Sequence, residues 1–165
     1  MNDDIDKMML DAFECVEDGD FISALDLYNS VLRENPDNVV ALIDKGVTLQ
    51  NMGRIKSAIR CYDKALVISP HNLDALLNKG SSLHSLDQFE EAILCYDAVL
   101  NIDKKCVMAI AYKGLSLGEL GELKNAIRHF KKALSIDQNY DLASVSKDIA
   151  QNLLKSANSQ KSKTL

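Results

Sequence analysis

The 165-residue sequence predicts an all-α solenoid of four helix–turn–helix repeats closed by a C-terminal capping helix. Three observations lead there. The first is a period of 34 residues. It is carried by Gly46, Gly80 and Gly114, by Ala24, Ala58, Ala92 and Ala126, and by Tyr28, Tyr62, Tyr96 and Phe130. Repetition at such a period marks stacked units that share one core. The second is helical spacing inside each unit: the aromatic follows its alanine by four residues, which puts both on one helix face. The third is punctuation. Gly19, Gly53 and Gly121, with Asp87 in register, separate a first helix (A) from a second (B) in each unit.

The elements follow in order. Helix A of repeat one is predicted over 4–18, with Ile5, Met8, Met9, Ala12, Phe13, Cys15 and Val16 as its apolar residues. Gly19 ends it, because glycine enters the left-handed region cheaply. Asp20 caps helix B by accepting from its free amides. Helix B is predicted over 21–33, with Ala24, Leu25, Tyr28, Val31 and Leu32 inward, and Asn35-Pro36-Asp37-Asn38 turns the chain. Repeat two (39–72) places Leu42, Gly46 and Leu49 on helix A and Ile55, Ala58, Ile59, Tyr62, Ala65 and Leu66 on helix B, closing at Ser69-Pro70. Repeat three (73–106) repeats this with Leu76, Gly80, Leu83, Phe89, Ala92, Ile93, Tyr96 and Leu100. Asp87 replaces the turn glycine there, a tolerable exchange because Asp visits the left-handed region more readily than most residues. Repeat four (107–140) has Ile110, Gly114, Leu117, Leu123, Ala126, Ile127, Phe130, Ala133 and Leu134. The recurring glycines and alanines let neighbouring helices approach closely. Neither helix of a pair can bury its stripe alone, so stacking is compulsory. Residues 141–155 read as a capping helix, since Ser144, Lys147, Asp148 and Gln151 fall where earlier helices A face a helix B. One domain over 1–155 is expected, with a disordered polar tail over 156–165.

Bulk composition narrows the function classes. Hydrophobic residues make up 47% and charged residues 26%, ordinary values for a globular protein. No apolar run is long enough to span a bilayer, and the start Met1-Asn2-Asp3-Asp4 is acidic, unlike a signal peptide. Net charge is −5, divided as −9 over residues 1–38 and +4 over the rest. The acidic first repeat disfavours nucleic acid, which needs clustered Lys and Arg. Cys15, Cys61, Cys95 and Cys106 form no C-x-x-C pair. Stacked helices sit about 8–10 Å apart, beyond disulfide reach for equivalent positions such as Cys61 and Cys95. All four read as thiols in a reducing, cytoplasmic setting.

The pattern resembles the tetratricopeptide repeat (TPR), a 34-residue helix–turn–helix with small and aromatic residues at fixed places and a closing proline. The resemblance covers residues 5–140. Leu42 and Leu76 stand where the family often has tryptophan. Lys45, Lys79 and Lys113 replace a usual leucine, and Lys104 and Gln138 replace the closing proline. The resemblance implies a right-handed α-solenoid that binds protein segments in a concave groove lined by helices A. Carried over by position, the groove candidates are Met9, Phe13 and Val16; Val40, Ile43 and Val47; Leu77, Ser81 and His84; and Met108, Ala111 and Leu115. A subgroup that clamps a chaperone's C-terminal carboxylate uses lysines, asparagines and an arginine. Here the matching places hold Met9, Phe13, Asp44, Asp74 and Asn78, and aspartate cannot attract a carboxylate.

These residues imply a non-catalytic adaptor that takes an apolar or amphipathic segment of a partner protein. No nucleic acid, membrane, metal or cofactor is expected. Cys61, Cys95 and His129 share a repeat position, but equivalents one repeat apart are too distant for one ion with ligand bonds of about 2.0–2.3 Å. No phosphate loop or paired nucleophile and base is present. The alternative is a structural protein that self-associates into a homo-oligomer, through the groove or through the face of Leu142, Val145, Ile149 and Leu153.

Overall fold

The computed structural model describes residues 2–161. Among the described residues all regular structure is helical. The elements are α1 (Asn2–Glu17), α2 (Phe21–Glu34), α3 (Val39–Asn51), α4 (Ile55–Ile68), α5 (Leu73–His84), α6 (Phe89–Ile102), α7 (Val107–Glu119), α8 (Leu123–Ile136) and α9 (Asp141–Lys161). Odd-numbered helices up to α7 are helices A, and even-numbered helices are helices B. The chain divides into two compact units, residues 1–86 and 87–165. No described helix is long and apolar enough to cross a membrane.

Local signals set the helix ends. Asp20, Asn38 and Asn72 accept from the amides of Ser23, Ala41 and Ala75 at 3.1, 3.0 and 2.8 Å, capping α2, α3 and α5. Between helix A and helix B the chain turns through Gly19, Gly53, Asp87 and Gly121, with φ of +79°, +72°, +58° and +78°. The aspartate therefore takes the same left-handed step as the three glycines.

In the first unit each helix packs on the next, and α3 also touches α5. Ala12, Ala24, Tyr28, Val31 and Ala41 form one core cluster, and Leu25, Leu42, Leu49, Ala58, Tyr62 and Ala65 form the other. Small residues set the spacing: a Cβ on Gly46 would lie 2.4 Å from the Tyr62 ring. The buried aromatics also carry polar ties. Tyr62 donates to Gln50 Oε1 at 3.1 Å, and Ser82 donates to the same oxygen at 2.9 Å, so one amide joins α3, α4 and α5. Tyr28 shares a hydrogen bond with Thr48, and burial pushes its phenol up to about 12.

The second unit packs α6 on α7, α7 on α8, and α9 on both α7 and α8. Its core joins Ile110, Ala111, Leu117, Ala126, Phe130, Ala133, Ala143 and Ala150. A Cβ on Gly114 would meet Phe130 at 2.7 Å, the same close approach as at Gly46. From α9 only alanines, Ala143 and Ala150, are fully buried. Asp148 is exposed, and Ser144, Lys147 and Gln151 are half-buried. The helix runs six residues past its expected end at 155. No glycine or proline interrupts 141–161, and Ser156 and Ser159 bond back to the carbonyls of Asn152 and Lys155. The remainder of the expected tail, 162–165, lies outside the described residues.

A polar ladder repeats with the same period. Lys79 pairs with Asp63 at 2.6 Å and Lys113 with Asp97 at 2.5 Å, each joining a helix B to the next helix A. At the first junction the acid is an amide: Lys45 donates to Asn29 at 2.6 Å. At the last, Lys131 stands where the acid would be, and Lys147 turns to Asp148 at 3.5 Å.

Candidate functional site

The expected groove residues divide by burial. Ile43, Leu77 and Ala111 occupy one repeat position and are at most 8% exposed, so they are core and not groove surface. Ile43 packs with Leu42 and Leu49, and Ala111 with Ile110 and Leu117. Their helices touch the next odd-numbered helix, α3 on α5 and α7 on α9, so side chains aimed toward that neighbour are covered. Met9, Val16, Val47, Ser81, His84 and Leu115 are half-buried. Phe13 and Val40 are 57% and 60% exposed, and Met108 is also exposed.

On the helices A of the first unit, Val40 and Asp74 hold equivalent repeat positions, and Asp44 lies one turn after Val40 on the same helix face. Burial raises the Asp44 carboxyl, and the like charge of Asp74 raises it further. Sequence register reads Asp44 as a reason to exclude a carboxylate ligand, and Asp74 as that and as a groove position. Together they make a spot that favours a cation.

In the second unit, α7, α8 and α9 enclose a cleft of about 230 Å³. It is lined by Leu115, Gly118, Leu123 and Phe130 from α7 and α8, and by Ile149, Ala150 and Leu153 from α9, with Glu119 and Ser146 supplying polar atoms. Leu115, a groove candidate, and Ile149 and Leu153, from the expected self-association face, thus line one cleft. Along α9, Leu142, Val145, Ile149 and Leu153 are all exposed, the last three by more than half.

A further cleft, about 450 Å³, opens between α2 and α4 over α3 in the first unit. Leucines floor it and Lys45, Arg54, Arg60 and Lys64 line it. Burial pushes the Cys61 thiol up there against the opposing pull of Lys45, Lys64 and Arg60. The sequence signal for this site was present but unread. The partner of each repeating lysine lies 16 residues before it, and only at Asn29 and Lys131 does the acid fail.

Among the described residues no three His, Cys, Asp or Glu side chains are placed to hold a metal ion, and all four cysteines are thiols. His129 donates from Nδ1 to the carbonyl oxygen of Asn125, 2.9 Å away. Burial holds its pKa below the usual value against that bond, and Lys113, Arg128 and Lys132 add to the depression.

Comparison with known proteins gives the same fold. Residues 16–66 match one family model described as tetratricopeptide repeat, and residues 73–106 and 113–140 match a second of the same description. No curated protein matches. The crystal structure of MamA protein is 26% identical, covering 92% of this chain and 83% of that one, with a TM-score of 0.82. YrrB, a TPR protein with an unusual peptide-binding site, is 20% identical over 83% of this chain and 71% of its own, with a TM-score of 0.76. The first TPR of Spaghetti, bound to an HSP90 peptide, is 21% identical over 71% of this chain and 93% of its own, with a TM-score of 0.68. Tetratricopeptide-repeat proteins serve generally as interaction scaffolds, and this α-solenoid chain belongs to the tetratricopeptide repeat family.

Proposed function

We propose that the chain is a non-catalytic adaptor that binds an apolar or amphipathic segment of a partner protein on its helix-A faces. The observation that carries this is the exposure of Phe13 and Val40 on a face that also bears Asp44 and Asp74. Large apolar side chains left in water favour cover by a partner. The carboxylate pair asks for Lys or Arg beside the partner's apolar anchors. Peptide binding by Spaghetti and YrrB supports the mode, while the acids here call for a different sequence from a carboxylate-ended ligand. Fully burying one such anchor is worth about 1.5–3 kcal/mol, and association costs leave affinities of about micromolar strength. The four thiols fit work in the cytoplasm.

The test is capture of partners by the full chain, compared with the Phe13→Glu, Val40→Glu double variant. Both side chains are exposed, so the variant should keep its helical circular dichroism and lose the captured proteins. Unchanged capture would remove the helix-A face of the first unit from the binding surface.

A second reading is self-association through α9. Leu142, Val145, Ile149 and Leu153 follow one another at spacings of three, four and four residues, which keeps them on one helix face. Light scattering decides it: a homo-oligomer that Val145→Glu dissolves supports this reading, and a monomer at micromolar concentration removes it.

A further inference from the structure

The cleft between α2 and α4, over α3, has a chemistry of its own. Its floor is Leu25, Leu32, Leu42 and Leu49, and its rim carries Lys45, Arg54, Arg60 and Lys64. No carboxylate is among the residues that line it. Several features concentrate the positive charge. Asn29 stands where the equivalent junctions have Asp63 and Asp97, so Lys45 is hydrogen-bonded but not neutralised. Ser57 accepts from Arg60 Nη2 at 2.8 Å and holds that guanidinium at the rim. The first turn of α4 contains no acid, and its cap residue is Arg54, whose side chain makes no capping bond. At α6 the first turn holds Glu90 and Glu91, and α2 is capped by Asp20. Helix dipole and side chains therefore add up to one sign at the mouth of the cleft.

We propose that this cleft is a second docking site, for an acidic protein segment that sets an apolar side chain among carboxylates. The leucine floor takes the apolar side chain, and a volume of about 450 Å³ admits one or two of them. The four cations take the flanking acids. A bare inorganic anion would make no use of the apolar floor, where Leu32 is half-buried. Single-stranded nucleic acid would need aromatic platforms for its bases, and no aromatic residue lines the cleft. The site is independent of the helix-A reading, and it takes the opposite charge: the chain would hold a basic–apolar segment at one site and an acidic–apolar segment at the other.

The test uses the full chain and the peptide Glu-Glu-Leu-Glu-Glu-Leu, blocked at both ends, followed by amide chemical shifts in NMR. The expected result is saturable shifts centred on Asn29, Lys45 and Cys61, weakened as salt rises. Asn29→Asp, which rebuilds the pairing found at the other junctions, should weaken binding about three- to fivefold with an unchanged unfolding midpoint. Arg60→Glu with Lys64→Glu should weaken it by at least about tenfold. Equal binding of the Gln-for-Glu peptide would overturn the proposal, as would wild-type affinity in Asn29→Asp. Tighter binding of a dT12 oligonucleotide at the same residues would replace the acidic segment by nucleic acid. Shifts that follow protein concentration without peptide would replace it by a second copy of the chain.

Discussion

The close approach of helix A to helix B makes a sharp claim about two glycines. At Gly46 an added Cβ would sit 2.4 Å from Tyr62 Cε1 and 2.9 Å from Cζ. The ring cannot simply swing aside, because Tyr62 is fully buried and its hydroxyl is tied to Gln50. At Gly118 the Cβ would meet only Ala126 Cβ, at 3.9 Å, an ordinary contact. Replacing a helical glycine by alanine gains up to about 1 kcal/mol of helix propensity at either place. Forcing a methyl into a filled core costs about 1–3 kcal/mol, with the upper half expected for a 2.4 Å approach. Gly46→Ala should therefore lose about 1–2 kcal/mol net, and Gly118→Ala should gain up to about 1. With a urea slope of about 1–3 kcal/mol/M, the two midpoints should part by about 1 M. Repeat arrays unfold with weaker cooperativity than compact domains, so circular dichroism and tyrosine fluorescence should both be followed. A Gly46→Ala midpoint at or above that of Gly118→Ala would refute the steric reading of the recurring glycine. The true constraint would then be backbone spacing shared by both positions.

Other expectations follow from charge and hydroxyls. Asp44→Asn should stabilise the chain at pH 7: the carboxyl is raised by burial and by Asp74, so its contribution is fully present below the unfolded carboxylate pKa and lost as pH rises through the folded value. Urea melts at pH 7 should show the gain, and the gain should shrink as pH falls toward 4 or so. His129 has the opposite sign. Its depressed pKa gives stability that is present above an unfolded pKa of about 6.5 and lost as pH falls. In His129→Cys, which installs the residue found at the equivalent positions 61 and 95, that acid slope should disappear from a melt series. Phe130→Tyr should cost about 1 kcal/mol by adding a hydroxyl where Gly118 and Ala150 replace the Gln50 and Ser82 of the Tyr62 site. Adding Ala150→Ser should recover part of that loss in a double-mutant cycle.

Much of the fold could be read from the sequence because the period fixes it. The turns at Gly19, Gly53, Asp87 and Gly121, the capping by Asp20 and the inward stripes all follow from what recurs. The candidate surface was read less well. Register places Ile43, Leu77 and Ala111 on a face of helix A, but only coordinates show that the neighbouring helices cover that face. The end of α9 failed for a related reason. Polar composition over 156–161 lowers the drive to bury surface but contains nothing that stops a helix already started by Ala143 and Ala150 packing. The cationic cleft went unread because its members are distributed over α2, α3 and α4, and each looks like an ordinary solvated charge.

In an array of this kind, stability rests on what every repeat shares. The small–aromatic contact, the buried hydroxyl and the lysine rung each recur because each junction has to be closed in the same way. A residue that breaks the period is therefore released from that shared duty at that one place. Asn29 is such a break. It keeps the hydrogen bond of the rung but removes its negative charge, and it does so beside Arg54, Arg60 and Lys64 rather than at a neutral spot. At the first junction the bond to Asn29 is kept in an exposed setting, where the extra charge of an aspartate would add only about 0–1 kcal/mol to stability. What changes is the field in the cleft, which the Cys61 thiol already feels and which a charged ligand would meet. The same logic separates Asn29 from Lys131. There the acid is also lost, but Lys147 turns to Asp148 and its charge stays answered within α9. Of the two breaks in the ladder, only the one at Asn29 leaves its lysine's charge for an acidic partner to answer.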